Sequence, residues 1–151
     1  MGLGGKFEVA SMCCVLLKKY FLDSRAATEL ADQDLENLRN ALLESIDLDK
    51  QPLSLLKRKG DVLSKIYAKL KKTEMLLAYL VQLADHTDAK VRQFSMYVFE
   101  ILSEIHLTSA QLTSSKNDFM TIFQKGLNDK DTNVKVASLK AVTAFLSSIE
   151  E

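Results

Sequence analysis

The sequence is poor in the residues that end helices and shape turns. It contains one proline (Pro52), five glycines and no tryptophan in 151 residues. A protein built of many short strands needs frequent turn residues, so this scarcity argues against a β-sheet fold. Leu, Ala, Lys and Glu are plentiful and favour helix. The chain is therefore predicted to be all-α, and no strands are expected.

The chain also lacks an excess of charge of either sign. Lys plus Arg equal Asp plus Glu at 20 each, so the overall charge gives no reason to expect nucleic acid or an anionic membrane as a partner. No apolar run reaches membrane-spanning length, and residues 1–5 lack the basic and apolar regions of a signal peptide. We expect a soluble array of about one domain over residues 6–151, with residues 1–5 as an expression remnant or disordered end.

Cysteine is scarce as well. Cys13 and Cys14 are the two cysteines, and they are neighbours on a predicted helix, where their side chains diverge. No third cysteine is available to pair with either of them. Both are predicted to be buried, reduced thiols in an intracellular protein.

What the chain does contain is one helical pattern that recurs four times. An apolar residue is followed by a small residue four positions on, an apolar one seven on and a bulky one eleven on. These slot residues are Val9, Cys13, Leu16, Tyr20; Leu56, Gly60, Leu63, Tyr67; Val91, Ser95, Val98, Leu102; and Val134, Ser138, Ala141, Phe145. Steps of four, three and four place each set on one helical face. The copies begin about 35 to 47 residues apart, and this spacing is typical of a helical solenoid.

The periodicity predicts seven helices joined as hairpins. They cover residues 7–22, 31–46, 52–72, 73–85, 88–106, 116–127 and about 132–149, with a polar linker over 107–115. The first helix carries the pattern of a hairpin's second helix, so residues 6–22 form an orphan helix before repeats 31–72, 73–106 and 116–149. We therefore expect a segment of a longer solenoid, with exposed apolar patches at both ends and self-association through them.

Several of these residues resemble a known family. Val91, Arg92 and Ser95, and again Val134, Lys135 and Ser138, follow an Asp-containing corner and resemble the HEAT repeat. The stretches Ser11–Ser24, Leu55–Leu70 and Asp88–Leu102, in this order, resemble consecutive amino-terminal repeats of importin-β-type (karyopherin-β) nuclear transport receptors. The resemblance implies a HEAT-type α-α superhelix, or solenoid, of about three and a half hairpins.

The resemblance also implies a function. Such a receptor carries protein cargo through nuclear pores, contacts nucleoporins, responds to the GTP form of the small GTPase Ran, and shuttles between cytoplasm and nucleus through the nuclear envelope. In the family, a corner Asp and the basic residue after the Val form a ladder between repeats, and Asp88, Arg92, Asp131 and Lys135 match those places. In the first half of the chain, Lys6 and Leu53 occupy the positions of the corner Asp, and Ala10 occupies the position of the basic residue.

No enzymatic chemistry is expected. The sequence has no phosphate-binding glycine loop, CxxC, HExxH or nucleophile elbow. His86 and His106 lie about 30 Å apart at opposite ends of one predicted helix and cannot share a metal. Asp85, His86 and Asp88 superficially suggest acid–base work, but a polar corner that caps a helix explains them. No metal and no cofactor is expected.

One basic patch is a candidate site. Arg58, Lys65, Lys69 and Lys72 fall within about 60° on the helix after Pro52, and we call them the basic stripe. It is either a solvated face or a surface for an acidic partner. The resemblance favours the partner surface, because in the family the second helix of each hairpin lines the concave inner face of the superhelix. The helix before it is acidic, so the two faces of this repeat are predicted to differ in sign. A HEAT or armadillo scaffold unrelated to transport, in phosphatase assembly or trafficking, is the alternative function.

Overall fold

The computed structural model describes residues 3–17, 19, 31–104 and 116–149. These residues form seven helices and no strand: α1 Leu3–Leu17, α2 Asp32–Ser45, α3 Leu53–Leu70, α4 Thr73–Ala84, α5 Ala89–Glu104, α6 Lys116–Leu127 and α7 Thr132–Ile149. The prediction of an all-α helical-repeat fold is confirmed. Within the described residues, no helix is long and apolar enough to cross a membrane.

The helix boundaries follow the predicted ones closely from α2 onward. The first helix differs, because α1 begins at Leu3 rather than Phe7. Gly4 and Gly5 can adopt helical dihedral angles, and the first-turn amides need no intrahelical acceptor, so nothing prevents an earlier start. The predicted end of this helix at Leu22, slot residue Tyr20, His106 and the linkers lie outside the described residues.

The chain divides into two compact units, Met1–Thr73 and Glu74–Glu151. In the first unit α1 and α2 both pack on α3. The α2–α3 corner is closed by Asp47, whose Oδ1 accepts hydrogen bonds from the amides of Asp49 and Lys50 at 3.1 Å each. Pro52 has extended backbone angles (φ −69°, ψ 154°) and lies one residue before α3 rather than inside its first turn. Its ring therefore costs α3 no internal hydrogen bond.

In the second unit α5 and α6 both pack on α7. Four phenylalanines form the centre of this unit, with neighbouring ring centroids 5.1–6.2 Å apart: Phe99, Phe119, Phe123 and Phe145. Aromatic pairs at such separations stabilise a core beyond their buried area. This cluster anchors α5, α6 and α7 to one another.

The slot residues of α3, α5 and α7 are all buried, as the repeat pattern predicts. The small slot also brings helices together as expected. Ser95 Oγ donates to the Leu80 carbonyl of α4 at 2.9 Å. Ser138 faces Gly126 of α6, where an added Cβ would stand 2.8 Å from the Ser138 Cβ and 2.9 Å from Met96 Cε. Only glycine at position 126 allows α6 this approach.

The copy of the pattern in α1 behaves differently. Val9 is 65% exposed, Leu16 is 45% exposed, and Cys13 is exposed too, which agrees with the expectation of an exposed apolar patch at this end of the array. The prediction that both cysteines are buried is wrong for Cys13 and confirmed for Cys14. Apolar residues surround most of α1, so its pattern fits more than one face, and contact with α3 buries the Cys14 side instead.

Candidate partner-binding surface

The basic stripe lies on the side of α3 opposite Leu56 and Leu63, and it is flanked by buried Asp61 and Val62. Leu56, Leu63 and Ile66 are fully buried, whereas Arg58 is exposed and Lys65 and Lys69 are half-buried. Arg58 is thus the exposed member of the stripe, and its role in binding a partner stays a prediction.

Lys72 departs from the rest of the stripe. It follows Lys71, whose left-handed backbone (φ 56°) ends α3 and redirects the chain. Its Nζ lies 2.7 Å from Glu36 Oε1 of α2, and this hydrogen bond and charge lower the pKa of Glu36. One acidic residue of α2 and one residue of the stripe thus pair with each other, and the difference in sign between the two faces of this repeat stays a prediction.

A buried lysine that sequence reasoning missed lies on the other side of α3. Lys59 Nζ donates to the Ser45 carbonyl at 2.6 Å and to Gln51 Oε1 at 3.2 Å. A positive charge at the last carbonyls of α2 is favourable to the helix dipole and satisfies groups that have no intrahelical partner. Its signal in the sequence is a lysine three residues after Leu56, within the apolar face. Its role is to hold the α2–α3 corner.

Burial affects the titration of this region. Desolvation lowers the pKa of Lys59 and raises the pKa of the Cys14 thiol, which lies near enough to feel the lysine's charge. A thiol with a raised pKa is mostly protonated at neutral pH and is a poor nucleophile. The pair therefore supports packing rather than covalent chemistry.

Arg92, which matches the place of the family's basic ladder residue, joins two corners of the second unit. Arg92 grips Asp129 with two hydrogen bonds, Nε to Oδ2 at 2.7 Å and Nη2 to Oδ1 at 3.0 Å. Its Nη1 also donates to the carbonyls of His86 and Thr87 at 2.9 Å each. One guanidinium thus joins the corner before α5 to the corner before α7. The pair raises the pKa of Arg92 and lowers the pKa of Asp129.

The other predicted ladder residues have different roles. Asp88 Oδ1 accepts from the Lys90 amide at 2.9 Å, and Asp131 Oδ1 accepts from the Asn133 amide at 2.8 Å, so each caps the helix that follows it. Lys135 is exposed. Arg92 thus pairs with Asp129, and Asp131, which matches the place of the family's corner Asp, caps α7 instead. Asp129 and Asp131 both lie in the corner before α7, and the sequence alone does not show which of them pairs with Arg92.

A small groove lies between α4 and α6 within the second unit. It encloses about 80 Å³ and is lined by Val81, Ala84, Asp85, Asp118, Thr121, Ile122 and Lys125. Lys125 Nζ pairs with Asp85 Oδ1 at 2.8 Å on its rim. Pockets for drug-sized ligands are about 300–1,000 Å³, so this groove fits one side chain of a partner rather than a metabolite.

The corner that resembled an acid–base site is occupied by structural hydrogen bonds. His86 Nδ1 accepts from the Asp88 amide at 3.0 Å. The Asp85 carboxylate pairs with Lys125. Within the part of the chain that the structure describes, no group of three or more His, Cys, Asp or Glu residues is arranged to hold a metal ion.

Comparison with known proteins gives one match. A family model described as IPO5-like, TPR repeats matches residues 53–151, about two thirds of the chain. The matched region begins at the first residue of α3 and includes α3 to α7, the helices whose slot residues are buried. No curated protein and no solved structure matches the chain.

Proposed function

Because the chain belongs to the family of IPO5-like TPR repeats, an importin-β-like repeat region, we propose that it is a protein-binding segment of a nucleocytoplasmic transport receptor. In this role it contributes to the carriage of protein cargo through nuclear pores under control of Ran-GTP. The observation that carries the proposal is the family match across three successive copies of the repeat. The segment has no catalytic role in this proposal.

The surfaces of the two units support binding to proteins. The basic stripe gives the first unit a row of positively charged residues, with Arg58 exposed and Lys65 and Lys69 half-buried. Such a row attracts an acidic surface and raises the association rate more than the final affinity. Ran, cargo and nucleoporins are the partners proposed for the receptor, which shuttles between cytoplasm and nucleus.

The proposal is tested by binding of the full chain to purified Ran, loaded with a non-hydrolysable GTP analogue or with GDP. We expect binding to the GTP form and weaker binding to the GDP form. Reversing the charge of Lys65 and Lys69 together (Lys65→Glu, Lys69→Glu) should slow association, and the loss should shrink as salt rises because screening weakens exposed charges.

The matched control reverses two exposed lysines of the second unit, Lys116→Glu and Lys130→Glu. This variant has the same net charge as the stripe variant, so a difference between them assigns the effect to the stripe. If both variants associate with Ran as fast as the wild type does, the stripe is a solvated face and not a binding surface. Absence of any nucleotide-dependent binding by a folded chain would favour a helical-repeat scaffold unrelated to transport.

A further inference from the structure

The second helices of the repeats carry a second face beside their slot residues. Its positions are five, eight and twelve residues after the first slot. In α5 they are Met96, Phe99 and Ser103, and in α7 they are Leu139, Val142 and Leu146. At about 100° per residue, these positions lie roughly 80–140° around the helix from the first slot. Each such helix therefore has one face for the slots and another beside it.

In α5 the second face is covered by the hairpin that follows it. Met96, Phe99 and Ser103 are all buried. Met96 Cε approaches the backbone of Gly126 in α6, and Phe99 packs against Phe119 and Phe123 of the same helix. Helix α7 packs on α5 as well, and its buried residues are its four slots, of which Ser138 and Phe145 also contact α6. The second face of α5 is thus covered by α6, beside the contact of α5 with α7.

In α7 the corresponding face is open. Leu139 is 57% exposed and Leu146 is 55% exposed, and Val142 between them is half-buried. Val136 and Ile149 extend the apolar surface along the helix and are exposed as well. Contiguous apolar surface of this kind on a soluble protein marks an interaction site. This face continues the α5–α7 interface by one repeat.

The matching half of such an interface is open on α1. Its slot residues Val9, Cys13 and Leu16 are exposed, as is Met12 beside them. These occupy the same slots that α7 buries against α5. The opposite side of α1, at Cys14, is already buried in the contact with α3. In the described residues, the slot face of α1 and the second face of α7 are therefore both exposed.

We propose that two copies of this chain associate head to tail, with the slot face of α1 in one copy packed on the second face of α7 in the other. The contact would repeat the packing of α7 on α5. Exposed Glu8 and Lys19 border the α1 face, and Lys135 and Lys140 border the α7 face. The interface is heterologous, so each copy keeps one open face and longer chains of copies can form.

The test is sedimentation velocity on three variants of the full chain across a wide concentration range. One variant blocks the α7 face (Leu139→Glu, Leu146→Glu), and another blocks the α1 face (Val9→Glu, Leu16→Glu). Met120→Glu in α6 is the matched control, because Met120 is an equally exposed apolar residue outside both faces. Circular dichroism verifies that each variant keeps its helix content.

We expect wild type and Met120→Glu to associate as concentration rises, and each double variant alone to remain monomeric. A 1:1 mixture of the two double variants should form a dimer and nothing larger, because one intact α1 face and one intact α7 face remain. A wild type that stays monomeric at the highest concentration would overturn the proposal. Self-association of the α1-blocked variant alone would also overturn it, since that result requires contact between two α7 faces.

Discussion

Helices α1 and α5 carry the same series of slots, yet they meet their surroundings in opposite ways. In α5 the slot residues Val91, Ser95 and Val98 are buried, and in α1 the equivalent Val9, Cys13 and Leu16 are exposed. The difference lies in the neighbours of each helix. The slot face of α5 lies against α4, where Ser95 Oγ donates to the Leu80 carbonyl, whereas the slot face of α1 is exposed in the described residues. A copy of the repeat pattern therefore buries its slots only where a neighbouring helix covers that face.

The largest expected effect is a difference in unfolding free energy between substitutions at the same slot in two copies of the helical pattern. Leu63 of α3 and Leu16 of α1 both take the third slot, and Leu63 is fully buried. Leu63→Ala should lower the free energy of unfolding by about 2–5 kcal/mol through lost burial and a cavity. Leu16→Ala should change it by less than about 0.5 kcal/mol, as is usual at the surface. Urea denaturation at low protein concentration measures both, and equal losses would mean that α1 also buries its slots.

The small slot provides a second comparison of the same kind. Ser138 is fully buried against Gly126, while Cys13 is exposed. Ser138→Leu overfills a close contact and should cost about 1–3 kcal/mol. Cys13→Leu should be nearly neutral, because solvent surrounds the added methyl groups. Melting temperatures of the two variants check this, and a stable Ser138→Leu variant would show that α6 and α7 are not so closely packed.

The ion pair between Arg92 of α5 and Asp129 makes a smaller, pH-dependent contribution to the free energy of unfolding. Arg92 and Asp129 are only 19% and 10% exposed, whereas Lys125 and Asp85 are 53% and 60% exposed. Asp129→Asn should cost about 1–2 kcal/mol, since a charge-assisted pair becomes a neutral contact. Asp85→Asn should cost less than about 0.5 kcal/mol. At the place of Arg92, α1 has Ala10 and lacks such an anchor.

The sign of the pH effect follows from the pKa of Asp129. Arg92 lowers it below the ordinary value of 3.8, so the pair's stabilisation is present above about pH 4 and is lost as pH falls through the lowered value. The difference in unfolding free energy between wild type and Asp129→Asn should therefore shrink below pH 4. A difference that stays constant between pH 7 and pH 3 would contradict the role of the carboxylate charge.

Much of the fold was predictable because several signals agreed. The apolar period, the corner carboxylates Asp88 and Asp131 and the proline before α3 all placed helix boundaries that the structure confirms. Three copies of the slots are buried as the spacing required. These signals are local, since each depends on residues within one helix or one turn.

The remaining features depend on which groups meet in space. Asp129 and Asp131 share one corner, and only packing selects Asp129 for Arg92. Lys72 pairs with Glu36 because the left-handed Lys71 redirects the chain, and Lys59 caps α2 from a neighbouring helix. The exposed side of α1 is set by its contact with α3. None of these choices is encoded by periodicity within a single helix.

The most direct test of the account is the reactivity of the two cysteines in the native chain. A maleimide is added at a protein concentration low enough to keep copies apart, and mass spectrometry follows labelling of Cys13→Ser and Cys14→Ser variants. The account predicts fast labelling of Cys13 in the Cys14→Ser variant and slow labelling of buried Cys14 in the Cys13→Ser variant. Protected Cys13 with reactive Cys14 would show that α1 buries its slot face like the other copies and would contradict the account.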